Sequence, residues 1–368
     1  MIILESGTGN YVFCNSKKFS YFGGNNYLGL ASHPVVKAAV IQSVKKYGIN
    51  FSASRRTTGT ACIHLELEKQ LSVFKGKPDT VVFASGYQGN SILLEILKGS
   101  YSIVLADQYA HPSIAAGIPR DVKILYYNHS DADHLDHLLD HHRISDPLII
   151  TDGVFALTGE IAPLDKLYPV VKKHNGILIV DDAHSTGILG ATGKGTPEHF
   201  NLPRDKHIYQ TETMSKALGG YGGFISGNKN LTEQIRGNST TYQASTALPP
   251  PVVAAVIASL KIIDENPDLR FHLLGKAGML REEIIKLGFQ TTKDNTPIVP
   301  VMLPSQKMAK NLSLFLEENG IIVPFMNYPF KEKMHILRIA VTASHSIAQI
   351  RLLLEKLKKW TEKNPYHI

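Results

Sequence analysis

The sequence predicts an α/β fold: a mainly parallel, seven-stranded sheet flanked by helices, followed by a smaller α+β domain. Three observations predict it. Seven short runs rich in β-branched residues, most ending in a small or acidic residue, lie between residues 80 and 227. Helix-like segments separate most of them, and after about residue 250 the pattern changes. Continuous apolar runs read as strands buried on both faces, and strands alternating with helices read as a parallel sheet. A chain of 368 residues is too long for one compact core, so a large domain and a smaller one are expected.

The elements follow in order. Residues 1–33 form an N-terminal arm, and Pro34 opens a helix. A large domain over 34–250 carries the strands "TVVFAS" at 80–85, "SIVLAD" at 102–107, "VKILYY" at 122–127, "PLIITD" at 147–152, "GILIVD" at 176–181, "HIYQTE" at 207–212 and "GGFISG" at 222–227. "GNSILLEILKG" at 89–99 reads as a helix, and "PLDKLYPVVKKHNG" at 163–176 reads as another, with Pro163 near its start and Gly176 at its end. The small domain is expected over 251–368, entered through a long helix at 249–267 that prolines open. "TPIVPVML" at 296–303 reads as a strand. A helix follows from Ser305 to about Glu318, with Met308, Leu312, Phe315 and Leu316 on one face and Gly320 as its stop. "IIVPFM" and "HILRIAVT" read as strands, and the final helix carries Ile347, Ile350, Leu354, Leu357 and Trp360 on one stripe.

Composition narrows the function. The formal charge is +7, an excess that suits anionic substrates such as nucleotides or coenzyme A. The densest basic run, Lys356, Lys358 and Lys359, lies in the terminal amphipathic helix, so no nucleic-acid stripe is expected. Cys14 and Cys62 are the two cysteines and form no CxxC pair, which argues against a disulfide framework and fits a reducing cytoplasm. "MIILESGTGN" lacks a basic flank and a long apolar core, so no signal peptide is expected. No segment approaches the roughly 20 apolar residues of a membrane span.

In open parallel sheets, ligands collect beyond the carboxyl ends of the strands. "TETMSKALGGYGG" at 211–223 sets Lys216 among the hydroxyls of Thr213 and Ser215, then supplies Gly219, Gly220, Gly222 and Gly223. Alone, the stretch reads as a polar turn with a solvated lysine. Its neighbours change that reading. Asp181 ends the run "ILIV"; adjacent strand residues point to opposite faces, so Asp181 and Asp182 cannot both face one ligand. His184, three residues on, can return toward the edge that Asp181 faces. His111, in "DQYAHPS", lies just past another strand, and "SGYQGN" at 85–90 leads from a third strand into a helix whose free N–H groups suit a phosphate. An amine, a carboxylate, two imidazoles and a phosphate nest are what pyridoxal 5′-phosphate needs. A lysine joins the aldehyde, a carboxylate keeps the ring nitrogen protonated, and N–H and hydroxyl groups hold the phosphate. The glycines let the backbone take conformations beside the cofactor that a side chain would forbid.

With these residues in place, the chain resembles the α-oxoamine synthases. These fold-type-I pyridoxal phosphate enzymes join an amino acid to an acyl-CoA and release CO₂. The resemblance runs from about Tyr21 to the last helix. It rests on "NNYLGL", "GTACIHLELEKQL", "SGYQGN", "DQYAHPSI", "DGVFALTGEIAPL", "VDDAHSTGILGATGKG", "TMSKALGGYGG", "STALPPP" and "LRIAVTASH" in that order. It implies that Lys216 is the covalent cofactor lysine and later the base for the substrate Cα proton. It implies that Asp181 pairs with the ring nitrogen, His184 bonds the ring hydroxyl and His111 stacks on the ring. Gly86 and Tyr87, by their backbone, and Thr213, by its hydroxyl, would hold the phosphate. Ser245 or Thr246 would reach the phosphate of a second subunit in a homodimer, and Asn25 and Arg338 would hold the amino-acid carboxylate. The expected partners are an amino acid and an acyl-CoA thioester, first L-alanine and a pimeloyl thioester as in biotin synthesis. Glycine or serine as donor stays open.

Other readings stand beside this one. A pyridoxal phosphate aminotransferase on the same fold is one; a non-catalytic accessory subunit is another, against which the presence of Lys216 argues. "GATGKG" at 190–195 resembles a phosphate-binding P-loop, but that motif needs Gly at 188 and Ser or Thr at 195, where this chain has Ile188 and Gly195. His134, His137 and His141 share a helical face; a solvated face is expected there rather than a metal. The chain departs from the family pattern at Ala156, where serine is common, at Gly23 and Gly24, where small polar residues are usual, and in the 326–337 loop "MNYPFKEKMHIL". That loop lies near the acyl substrate in the family, which leaves acyl selectivity open.

Overall fold

A computed structural model describes residues 2–203, 205, 207–326 and 335–364. Most of the atypical loop therefore lies outside the described residues. The chain forms two compact units: one of residues 34–155 and 161–265, the other of residues 1–33, 156–160 and 266–368.

The larger unit is built on seven strands: β1 (Asp79–Phe83), β2 (Ile103–Asp107), β3 (Lys123–Tyr127), β4 (Pro147–Asp152), β5 (Ile177–Asp181), β6 (Ile208–Thr213) and β7 (Gly223–Gly227). Each of the seven apolar runs becomes one strand. Their order in the sheet is β1-β7-β6-β5-β4-β2-β3. Only β7 runs antiparallel to its neighbours. The carboxyl ends of the other six strands therefore share one edge. The helices are α1 (Pro34–Tyr47), α2 (Cys62–Lys75), α3 (Tyr87–Ile96), α4 (Pro112–Gly117), α5 (Ala132–His141), α6 (Leu164–Lys173), α7 (Thr196–His199), α8 (Lys229–Asn238), α9 (Thr240–Ala244) and α10 (Pro250–Glu265).

Alternation along the strands divides the core in two. Val104, Leu148, Ile150 and Ile179 pack on one face with Ile92 and Leu93 of α3 and Ile235 of α8. Leu105, Ile149, Leu178 and Val180 pack on the other with Leu135 of α5 and Leu167 of α6. The register sets Asp152 beside Asp181 and Asp181 beside Thr211, so all three project from the same face. Asp182 is turned the other way.

The unit boundary falls at Glu265 rather than at residue 250, because α10 packs against α1 and α2. In the smaller unit, Ile298–Met302, Ile336–Ala340 and Phe325–Met326 form an antiparallel sheet. The arm is part of this unit. Its hairpin, Tyr11–Cys14 with Lys17–Tyr21, pairs with Ile321–Ile322, and Phe22 stacks on His345 at 4.1 Å. "IIVPFM" therefore becomes two short strands that join different sheets, parted at Val323 and Pro324. Proline has no N–H to give to a ladder.

Among the described residues, three α-helices complete the unit: α11 (Asp268–Lys286), α12 (Gln306–Glu318) and α13 (Ile347–Lys363). The sequence reading does not contain α11. Its buried positions, Arg270, Leu273, Ala277, Leu280, Arg281 and Ile284, have helical spacing, but two are arginines, which an apolar stripe does not reveal. On α13 the buried stripe is Ile350, Leu353, Leu357 and Trp360. Ile347 is exposed, and Leu353 rather than Leu354 is fully buried.

Candidate active site

At the carboxyl edge of the large sheet, the strand ends enclose a cavity of about 130 Å³. Seven of the residues singled out in the sequence line it: Gly86, Tyr87, His111, Asp181, His184, Thr213 and Lys216. Lys216 lies three residues beyond β6 and is half-buried. The loop that carries it folds back on itself: the Met214 N–H donates to the Gly222 carbonyl at 2.9 Å, and the Gly220 N–H to the Met214 carbonyl at 2.8 Å. Gly222 sits at φ +100°, a conformation side chains rarely adopt. This is the physical need behind part of the glycine run.

Asp181 is nearly buried. It accepts from the Asn90 side-chain amide at 2.7 Å and from the Ala183 N–H at 3.1 Å. His111 caps α4; its Nδ1 accepts from the Ser113 N–H at 3.2 Å and lies 2.7 Å from the Ser113 hydroxyl. Burial lowers the pKa of His111, against the pull of Asp181 and with the push of Lys216. The His111 backbone N–H donates to Asp152 at 3.0 Å. Burial and the neighbouring Asp181 raise the Asp152 pKa far above the carboxylate range.

At the other end of the cavity, α3 begins at Tyr87 with Gly86 as its cap. A Cβ on Gly86 would stand 2.8 Å from the Thr213 side chain, so the α3 turn can lie against β6 only with glycine there. The Thr213 hydroxyl is 2.7 Å from the Ser215 hydroxyl. A helix start, where the Tyr87 N–H donates to the Ser85 hydroxyl at 3.3 Å, together with two more hydroxyls and an absent Cβ, makes a cradle for a phosphate. The donor set fits pyridoxal 5′-phosphate from one end to the other: a phosphate cradle, imidazoles, a carboxylate and an amine.

Ser245 and Thr246 are not among the residues lining this cavity. The Ser245 hydroxyl donates to the Thr241 carbonyl at 2.7 Å, and Thr246 bridges Ser54. Asn25 and Arg338 meet in the smaller unit. The Arg338 guanidinium, 6% exposed, donates from Nη2 to Asn25 Oδ1 at 3.0 Å and to the Tyr27 hydroxyl at 3.2 Å, and from Nε to the Ala156 carbonyl. These acceptors are all neutral. A buried cation so placed is ready for an anion.

The P-loop-like segment and the histidine-rich helix both have internal partners. In "GATGKG", Glu198 accepts from the Thr192 and Lys194 N–H groups at 3.0 and 2.9 Å. The loop's amides already hold an internal carboxylate. In α5, His134 Nδ1 accepts from the Asn128 N–H at 2.9 Å, and His137 stacks on His141. Asp136 and Asp140 of this helix, close to His174, are bridged by Lys173 Nζ at 2.8 and 2.9 Å.

The sequence reading missed Asn90, Ser113, Asp152 and Tyr27. Asn90 and Tyr27 stand inside the quoted motifs "SGYQGN" and "NNYLGL", yet only their partners mark them out. It also missed a buried cluster on the opposite face. Asp182 accepts from Ser185, Thr196 and Gln210, while Lys75 pairs with Glu212. With two carboxylates and one lysine in the cluster, burial drives proton uptake and raises the Glu212 pKa from 4.5 to about 7 despite Lys75. The folded state thus binds this proton more tightly than the unfolded chain. The stabilisation is full below about pH 4.5 and is lost as pH rises through about 7. Between those values it falls by about 3 kcal/mol at most. In Glu212→Gln this component is absent, so the gap between unfolding midpoints at pH 5 and pH 8 should narrow. Thermal melts at the two pH values check this.

The aminotransferase class I and II family profile matches residues 17–357. The chain belongs to this family. Within it, the chain is 35% identical to the 8-amino-7-oxononanoate synthase of Thermoanaerobacter pseudethanolicus over 98% of its own length and 92% of that protein. This relationship places it among the α-oxoamine synthases, whose members use pyridoxal 5′-phosphate. Among solved structures, SPT with PLP superposes with a TM-score of 0.93 at 30% identity, covering 99% of this chain and 92% of that one. The 8-amino-7-oxononanoate synthase of Francisella tularensis superposes at 0.81 and 28% identity, covering 94% and 99%. In this family member no described helix is long and apolar enough to cross a membrane.

Proposed function

We propose that the chain is a pyridoxal 5′-phosphate-dependent 8-amino-7-oxononanoate synthase. It condenses L-alanine with a pimeloyl thioester and releases CO₂ and the free thiol of the carrier. One observation carries the reading: an amine, a carboxylate and two imidazoles converge with a phosphate cradle in one cavity at the strand ends. The near full-length relatedness to 8-amino-7-oxononanoate synthases supports the choice of substrates.

Bound in the cavity, pyridoxal 5′-phosphate supplies an aldehyde that captures amines and a ring that accepts the charge left on the amino acid's Cα. Lys216 Nζ would hold the cofactor covalently and, as a free amine, would take the proton from the amino acid's Cα. Asp181 would accept a hydrogen bond from the ring N–H and so keep the ring nitrogen protonated. His111 would cover the ring face, and His184 would hydrogen-bond the ring hydroxyl. Gly86 and Tyr87, through their N–H groups, and Thr213, through its hydroxyl, would anchor the phosphate. Arg338 and Asn25 hold the amino-acid carboxylate, with Tyr27 and the Ala156 carbonyl fixing the guanidinium.

We place the enzyme in the cytoplasm as a homodimer, in which Ser245 or Thr246 reaches the partner's phosphate site. Exposed apolar side chains on α1 and α2, Val35, Ile41, Leu65 and Val73 among them, support an interface there. Serine as donor is the second reading, because serine palmitoyltransferase (SPT) superposes more closely than the Francisella synthase. A visible-absorption titration of the loaded protein with L-alanine, glycine and L-serine, each followed by pimeloyl-CoA, separates the readings. L-alanine should shift the band, and pimeloyl-CoA should then raise a transient long-wavelength band. The same response to serine alone would replace alanine as the donor.

A further inference from the structure

We infer that Asn90 is a positioning residue for the cofactor site: it orients the Asp181 carboxylate and, through Ser113, sets the tautomer of His111. The inference rests on the cofactor reading above and goes beyond it. Asn90 lies on α3 and is fully buried. Its amide nitrogen donates to Asp181 Oδ2 at 2.7 Å and to Ser113 Oγ at 3.0 Å. Its oxygen accepts from the Thr211 hydroxyl at 2.8 Å. An ionised carboxylate offers acceptors only, so the face of the amide turned to Asp181 must be the NH₂. Both of its protons are then committed, and Thr211, beside Asp181 on the same face of the sheet, pins the other end. The amide cannot turn without breaking three bonds in a buried site.

The consequence runs on to His111. Ser113 Oγ accepts a hydrogen bond from the Asn90 amide, and its own hydroxyl proton is directed to His111 Nδ1, 2.7 Å away. The Ser113 N–H points at the same nitrogen. Two donors on Nδ1 mean that this atom keeps its lone pair, so the proton of the neutral ring sits on Nε2. Burial favours that neutral ring. One asparagine thereby orders the group expected at the ring nitrogen and the group expected on the ring face.

The test uses the full chain stripped of cofactor and titrated with pyridoxal 5′-phosphate, read by visible absorption and protein fluorescence. Asn90→Ala should weaken binding about ten- to a hundred-fold, the span of a hydrogen bond to a charged group. In an Asp181→Ala background the same substitution should change binding by less than about two-fold, because its effect passes through that carboxylate. An analogue with carbon in place of the ring nitrogen should bind wild type and Asn90→Ala with affinities within about two-fold. In turnover, kcat should fall while the thioester KM stays within about two-fold. Ile92→Val, buried on the same helix, controls for packing: it lowers the melting temperature without altering the preference for the ring nitrogen. Thr211→Val removes the pin and keeps the shape; it carries the test if Asn90→Ala does not fold. Equal loss of cofactor and carbon analogue, or an undiminished loss in the Asp181→Ala background, would overturn the inference. A wild-type protein that binds no pyridoxal 5′-phosphate would overturn the cofactor reading, and this inference with it.

Discussion

Replacing Lys216 by alanine should abolish the covalent cofactor linkage and lower turnover on the order of 10⁴-fold. The lysine has two proposed tasks: it holds the cofactor through Nζ, and it takes the Cα proton through the same atom. Both fail together, so the loss is not the sum of two separate effects. Non-covalent binding should survive, because the α3 start, Thr213 and Asp181 all remain in the cavity. Borohydride treatment and peptide mass analysis check the claim. Wild type should gain the reduced cofactor on the peptide containing Lys216, and the variant should gain none. A reduced cofactor on another lysine would refute the assignment.

Arg338→Lys should lower kcat/KM for the amino acid about 10²- to 10³-fold and leave the thioester KM within about two-fold. Nε and Nη2 of the arginine already serve Ala156, Asn25 and Tyr27. Those three bonds fix the plane of the guanidinium, so its remaining donors meet a carboxylate in a set direction. A lysine ammonium cannot satisfy the three acceptors and also present a planar fork. Its loss should be confined to ligands with a carboxylate. Competition by ethylamine, which is L-alanine without its carboxylate, should be unchanged in the variant. If ethylamine binding falls as much as alanine binding, Arg338 holds the fold of the smaller unit and not the substrate.

The large sheet was legible because strand and helix signals are local. Seven apolar runs, with the turn residues that bound them, specify seven strands within a residue or two. The proposed site residues were legible for a related reason. Lys216, Asp181 and His111 stand at or just past strand ends, and a parallel sheet brings such ends to one edge. The alternation rule separated Asp181 from Asp182 correctly: one accepts from Asn90 of α3, the other from Ser185 and Gln210. Helix α11 was not legible, since two of its six buried positions are arginines.

The sequence by itself determined the fold class, the family, the cofactor and seven of the residues that line the cavity. These depend on patterns a few residues long and on motifs kept in order. Only the tertiary structure decided which groups support those residues. Asn90 meets Asp181 across 91 positions, Thr211 meets Asn90 across 121, and Arg338 meets Asn25 across 313. The structure also assigned the arm to the smaller unit and α10 to the larger. A hydrogen bond needs two atoms within about 3 Å and correctly aligned, and no local pattern encodes that meeting when the partners lie on separate elements.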